Sequence, residues 1–235
     1  MDVYECLCDS VKNEYDTVRT LKESVRSVIR VVRNRRSGTR YVFRDYVGNA
    51  DVYRRLLTIS CSNLPNICEA AEHSGRAAVL EEYVQGDTLA FLLEGGPFSN
   101  HQAREVAQQL CRALWVLHSL GAVHRDIKPE NVIMRGNEAV LIDFDASRIY
   151  KLTNDSDTVV LGTTGYAAPE QYGISQSDGR ADIYSLGVLM NVMLTGKHPS
   201  RESAGGRLGR IIQKCTMTNP QQRYRDVMQL MDALG

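Results

Sequence analysis

His124-Arg125-Asp126-Ile127-Lys128-Pro129-Glu130-Asn131 is the stretch from which this chain is best read. Ahead of it Val106, Leu110, Ala113, Leu114 and Leu117 recur at three- to four-residue spacing, the period of one helix face. Ser99 or Asn100 supplies an N-cap for that helix and Gly121 a stop. Behind it, a short strand from Ala139 to Ile142 leads to Asp143-Phe144-Asp145. Then come Gly162-Thr163-Thr164-Gly165-Tyr166-Ala167-Ala168-Pro169-Glu170 and Asp182-Ile183-Tyr184-Ser185-Leu186-Gly187, with Pro220 and Arg223 after them. One such motif can arise by chance. Four in this order do not.

The chain differs on the two sides of this core. Toward the N-terminus, Tyr15 to Leu21, Val28 to Arg33 and the run opening at Tyr41-Val42-Phe43 mix β-branched, apolar and charged residues as strands do. Asn34-Arg35-Arg36-Ser37-Gly38 reads as a turn. Asp51 to Ile59 holds a short helical face in Val52, Leu56 and Ile59, and the apolar run Ala77 to Val84 stops at Gln85-Gly86. Toward the C-terminus, Ile183 to Leu194 and Val227 to Leu234 are amphipathic. Strands first and helices after predict an α+β chain of two lobes, with a cleft between them.

Composition narrows the class. The 235 residues are 43% hydrophobic and 24% charged, enough for a substantial core and too apolar for wholesale disorder. Lys+Arg and Asp+Glu both number 28, so the chain carries no general charge for a polyanion, and no nucleic-acid partner is expected. No apolar run approaches the roughly 18–20 residues that cross a bilayer, so no membrane segment is expected. The opening Met1-Asp2-Val3-Tyr4-Glu5 is unlike a secretory leader. Six cysteines, none paired as CxxC, fit reduced thiols, and together these features predict a cytoplasmic protein.

The four motifs together resemble those of the eukaryotic-like serine/threonine protein kinases, in a bacterial idiom. The resemblance runs from about Tyr15 to Leu234 and is densest from His118 to Leu194. It implies a bilobal kinase fold over residues 1–235, a small β-rich N-lobe (1–84) and a larger helical C-lobe (85–235) shortened after residue 199. ATP is the implied phosphoryl donor, with magnesium or manganese, and a protein bearing a serine or threonine hydroxyl the acceptor. Phosphoryl transfer needs an aligned attacking oxygen and neutralised phosphate charge. Asp126 matches the carboxylate that orients the acceptor and takes its proton, and Lys128 the cation beside the transferring group. Asn131 and Asp143 match the metal ligands, hard oxygen donors suited to magnesium. By the same resemblance Thr163 shapes the acceptor site, Glu170 pairs with Arg223, and Asp182 holds the catalytic loop from a buried helix. His124 reads as a packed core histidine. Arg125 suggests an activation segment governed by a phosphate, with Thr153, Ser156 and Thr158 as candidate acceptors.

The N-lobe departs from the family pattern. Where GxGxxGxV is usual the chain has Lys22-Glu23-Ser24-Val25-Arg26-Ser27-Val28, without a glycine. Val28 is placed as the roof over adenine, beside Val42 and above Ile133, and Glu82-Tyr83-Val84 as the hinge, with Glu82 and Val84 at the nucleotide. Arg44 replaces the strand lysine that binds phosphates, a change of shape with retained charge. The helix glutamate that normally pairs with that lysine falls on Arg54 or Arg55, so the expected partner of Arg44 is Glu81, just ahead of the hinge. Seven arginines and no acid occupy Arg26 to Arg44, read as a solvated basic hairpin, and Asp145 stands where glycine is usual. After Thr195-Gly196-Lys197-His198-Pro199 only a short Ser/Gly/Arg stretch replaces a substrate-docking helix. The expectation is an active serine/threonine kinase. The alternative is a pseudokinase, a nucleotide-binding scaffold without turnover.

Overall fold

The computed structural model describes residues 2–149, 165–172 and 178–235, which form two compact units. The first holds the chain up to Cys61 together with Pro65–Val84. The second holds Ser62–Leu64 and the described residues from Gln85 onward. The change of unit at Val84 falls where the apolar run ends. The return of Ser62–Leu64 to the second unit was not expected. Asn63 explains it: its side-chain amide donates to the Ala139 carbonyl at 2.9 Å, and its own carbonyl accepts from Leu141 N–H at 2.9 Å.

The first unit opens with helix α1 (Val3–Glu14), which the strand reading of this end of the chain missed. Its signal is present in the residues. Glu5 accepts from the amide of Asp2 at 3.3 Å, half of a capping box, and Leu7 and Val11 recur at four-residue spacing. Strands β1 (Tyr15–Glu23), β2 (Ser27–Asn34) and β3 (Arg40–Val47) follow, then the short helix α2 (Asp51–Leu56), β4 (Ile67–His73) and β5 (Arg76–Glu82). They build one antiparallel sheet in the order β1-β2-β3-β5-β4. Alternation along β3 sends Phe43 to one face and Val42, Arg44 and Tyr46 to the other. On the Phe43 face Leu7 and Val11 of α1 pack with Val32, Ala71, Ala78 and Leu80. On the other, Tyr46 meets Tyr53 of α2 with ring centroids 6.3 Å apart. Thus α1 covers part of one face and α2 part of the other, while β1 is exposed along most of its length.

The second unit begins with β6 (Asp87–Thr88), α3 (Leu89–Glu94) and the long helix α4 (Asn100–Ser119), whose N-cap is Ser99. Short strands β7 (Ala122–Val123), β8 (Val132–Arg135), β9 (Glu138–Leu141) and β10 (Arg148–Ile149) carry the intervening loops. Helices α5 (Gly179–Thr195), α6 (Gly206–Cys215) and α7 (Val227–Leu234) complete it. Helix α5 is buried on nearly every side, which its apolar sequence requires, and it packs against α4 and α6. Between Thr195 and Gly206 there is no helix, only a loop. The six cysteines are free thiols. No helix among the described residues is long and apolar enough to cross a membrane.

Candidate active site

Helix α4 delivers the chain to β7, and the next turn carries His124, Arg125 and Asp126. That turn is pinned from beneath by Asp182 of α5, which is wholly buried. Its carboxylate accepts from the amides of His124 at 2.9 Å and Arg125 at 2.8 Å, and from His118 Nε2 at 2.8 Å. Burial would raise its pKa, but the bonds from His118 and the Arg125 amide outweigh that and hold it below the ordinary carboxylate value. The bonds also secure a costly conformation, because Arg125 has φ of +71°, rare for a side chain with a Cβ. Gln171, fully buried on the 3₁₀ turn Pro169–Tyr172, adds a bond from its Nε2 to the Arg125 carbonyl at 2.9 Å.

Asp126 lies at the centre of a tight cluster. Its Oδ2 accepts from Lys128 Nζ at 2.8 Å and from Asn131 Nδ2 at 2.9 Å. Asn131 Nδ2 also reaches the Asp126 carbonyl at 2.8 Å. The amide nitrogen of Asn131 is thereby committed to Asp126, which leaves its amide oxygen as a hard donor. The backbone brings Asp143 alongside, since the Asn131 carbonyl accepts from Ile142 N–H at 2.9 Å. Asp143 has φ of +72°, and its Oδ1 accepts from the Asp145 amide at 3.4 Å. His124 braces this segment with Nε2 3.2 Å from the Ile142 carbonyl and its ring edge-on to Phe144. Burial pushes the His124 imidazole below its ordinary range, against the opposing pull of Asp182, Asp126 and Asp143.

Glu170 and Arg223 form a two-pronged ion pair, with Arg223 Nη1 and Nη2 donating to the carboxylate at 2.6 and 2.9 Å. Arg223 donates further to the carbonyls of Met217, Arg180 and Thr218. Thr163, with Thr153, Ser156 and Thr158, lies outside the described residues. Ile133 sits on β8. Gln171 and Ser185, whose Oγ donates to the Tyr166 carbonyl at 2.8 Å, escaped the sequence reading. Neither carries a motif signature; their roles come from burial and partners that only the fold supplies.

In the first unit, Arg44 and Glu81 are 4% and 3% exposed, and Arg44 Nε donates to Glu81 Oε1 at 2.6 Å. The register explains why they meet. Glu81 lies directly opposite Val42, and Arg44 is two residues along β3 on the same face, a diagonal neighbour. Arg54, one of the two residues on which the missing glutamate falls, has Nη1 3.5 Å from Glu72 Oε2. Glu82 accepts from the amide and side chain of Asn66, both at 3.1 Å, and Val84 is buried. The placing of Val28 beside Val42 needs correction. Val28 pairs with Asp45, whereas Ile29 pairs with Arg44 and Val31 with Val42. Directly opposed residues share a face, so Val28 points to the α1 side of the sheet, away from Val42 and Arg44. The β2 residues on the face of Val42 and Arg44 are Ile29 and Val31. In that turn the Ser24 amide donates to the Ser27 carbonyl at 2.9 Å, and the Ser27 amide to Ser24 Oγ at 3.1 Å.

An aspartate, a lysine and an asparagine gathered on one loop, with that loop held from a buried helix, form the frame of a phosphoryl-transfer domain. The protein kinase domain family model matches residues 10–233, and the chain belongs to that family. It is similar to bacterial kinases: 36% identical over 154 residues to serine/threonine-protein kinase pkn2 of Myxococcus xanthus, covering 62% of this chain and 19% of that one. Serine/threonine-protein kinase PknB of Mycolicibacterium smegmatis is 34% identical over 161 residues, covering 66% and 26%. Serine/threonine-protein kinase D of Synechocystis is 32% identical over 201 residues, covering 74% and 38%. The matched stretches thus span well under half the length of these relatives.

Proposed function

We propose that residues 1–235 form one kinase domain that transfers the γ-phosphate of ATP to a serine or threonine hydroxyl of a protein, in the cytoplasm. The observation that carries this reading is the shared Oδ2 of Asp126, with Lys128 at 2.8 Å and Asn131 at 2.9 Å. Asp126 orients the acceptor hydroxyl and accepts its proton; Lys128 offsets charge on the transferring group. The oxygens of Asn131 and Asp143 fit magnesium or manganese, hard cations that prefer one or two protein oxygens with phosphate and water making up the rest. When bound, the cation supplies neutralisation of the phosphate charge. Val42, Arg44, Glu82, Val84 and Ile133 are assigned to the nucleotide, with Ile29 as the β2 residue in place of Val28. Arg44 is held by Glu81, Nε donating to Oε1 at 2.6 Å.

The test is transfer of label from γ-labelled ATP and magnesium to a generic acceptor protein. Asp126→Asn and Asp143→Ala should each lower the rate by at least about a hundredfold. Equal labelling by wild type and both variants would remove the assignment.

A further inference from the structure

A cavity of about 620 Å³ opens between α5 and α6, within the second unit. Its lining contains the hydroxyls of Tyr184, Ser200 and Ser203, the Gln213 amide, His198 and Arg210, and no aspartate or glutamate. The nearest acids in sequence are engaged elsewhere: Glu202 with Lys197 Nζ at 2.7 Å, Asp182 with His118 Nε2 at 2.8 Å, and Asp178 with Arg180 Nη2 at 2.6 Å. Arg210 is exposed and makes no ion pair or hydrogen bond among the described residues. His198 is fixed in the wall, with Nε2 2.7 Å from the Gly165 carbonyl and Nδ1 2.8 Å from Ser200 Oγ and 3.1 Å from the Ser200 amide. Arg210 is the lining's one arginine or lysine among the described residues, and its guanidinium is always charged.

The wall is built in advance. Buried Asn191 donates to the carbonyls of Lys197 at 2.8 Å and Glu202 at 2.7 Å, and accepts from the Ala204 amide at 2.9 Å. Gly209 of α6 lets this loop come close, since a Cβ there would lie 2.0 Å from the Ala204 carbonyl oxygen. The same wall touches the segment that abuts the catalytic loop. His198 holds Gly165, and six residues on Gln171 holds the Arg125 carbonyl, next to Asp126.

We propose that this cavity docks an aspartate or glutamate side chain of the protein substrate, with Arg210 as counter-charge and the Gln213 amide as neutral hydrogen-bond donor. The inference rests on the kinase reading above. It is tested with fluorescent serine peptides that carry one Glu, Gln, Lys or phosphoserine at scanned positions. Anisotropy on the Asp126→Asn chain measures binding, and phosphorylation by the wild-type chain measures turnover. At one position the Glu peptide should bind roughly fivefold tighter than the Gln peptide, the upper range for an exposed ion pair, and KM should follow. Arg210→Ala should erase that ratio, and Arg210→Glu should invert it in favour of the Lys peptide. Arg112→Ala, on the exposed side of α4, should leave it intact. Equal Glu and Gln binding at every position, or a preference that survives Arg210→Glu, overturns the proposal. A phosphoserine peptide that outbinds Glu at the same position overturns the carboxylate assignment. If no peptide is phosphorylated, the kinase reading fails, and the anisotropy ratio still decides the docking site by the same criteria.

Discussion

The carboxylate of Asp182 accepts three N–H bonds without exposure to water, and two of the donors are consecutive main-chain amides. An asparagine in its place would set its NH₂ against one of those amides in either orientation. Leaving a buried donor unsatisfied costs about 1–3 kcal/mol, so Asp182→Asn should lower stability in urea by that amount at neutral pH. The pH dependence has a definite sign. The folded carboxyl titrates below its ordinary value of 3.8, so the unfolded chain binds the proton first as acid is added. The contribution is complete above that value and drains away as pH falls through the folded pKa. Wild type and Asp182→Asn should therefore converge in stability at low pH. Curves that stay parallel down to pH 3 would show that the charge of Asp182 contributes nothing. His124 acts in the same direction nearer neutrality: its lowered pKa means that stability begins to fall once pH drops below the ordinary imidazole value of 6.5.

At the scale of elements, the buried Arg44–Glu81 pair ties β3 to β5 within the sheet. Removing one partner strands the other charge, so Arg44→Ala should cost roughly 3–5 kcal/mol by denaturant unfolding. Replacing both, as Arg44→Met with Glu81→Leu, should recover most of that loss, since a packed apolar pair often matches a buried ion pair. A double variant no more stable than the single one would refute this account. The pair was legible in the sequence because charge complementarity at Arg44 and Glu81 survived the loss of the helix glutamate. The face of Val28 was not legible, because a strand's side-chain period is two and an error of one residue reverses it. Nor was α1, whose twelve residues bury only Leu7 and Val11 and so carry a thin apolar stripe. That Asp126, Lys128 and Asn131 lie together was readable because they stand within six residues of one another in a motif of fixed spacing. Gln171, Asn63 and Asn191 were not, because a buried amide looks like any surface amide until its partners are known.

At the scale of the whole molecule, the proposed nucleotide has a thermodynamic signature. A ligand that binds only the folded chain stabilises it by mass action, by about 2.7 kcal/mol at a hundredfold excess over its dissociation constant. For a chain of this length that is a rise in melting temperature of roughly 5–10 °C. Magnesium with ATP should produce such a rise in the wild-type chain. ATP with a chelator should produce less, since Asn131 and Asp143 would then face phosphate without the cation between them. Asp143→Ala should show the small shift in both conditions, because the acidic ligand is gone. Asp126→Asn, which keeps both proposed cation ligands, should retain the magnesium-dependent rise although transfer is lost. That pattern separates nucleotide binding from turnover in one experiment. A wild-type melting temperature indifferent to saturating ATP and magnesium would take away the nucleotide, and with it the roles assigned to Val42, Arg44, Asn131 and Asp143.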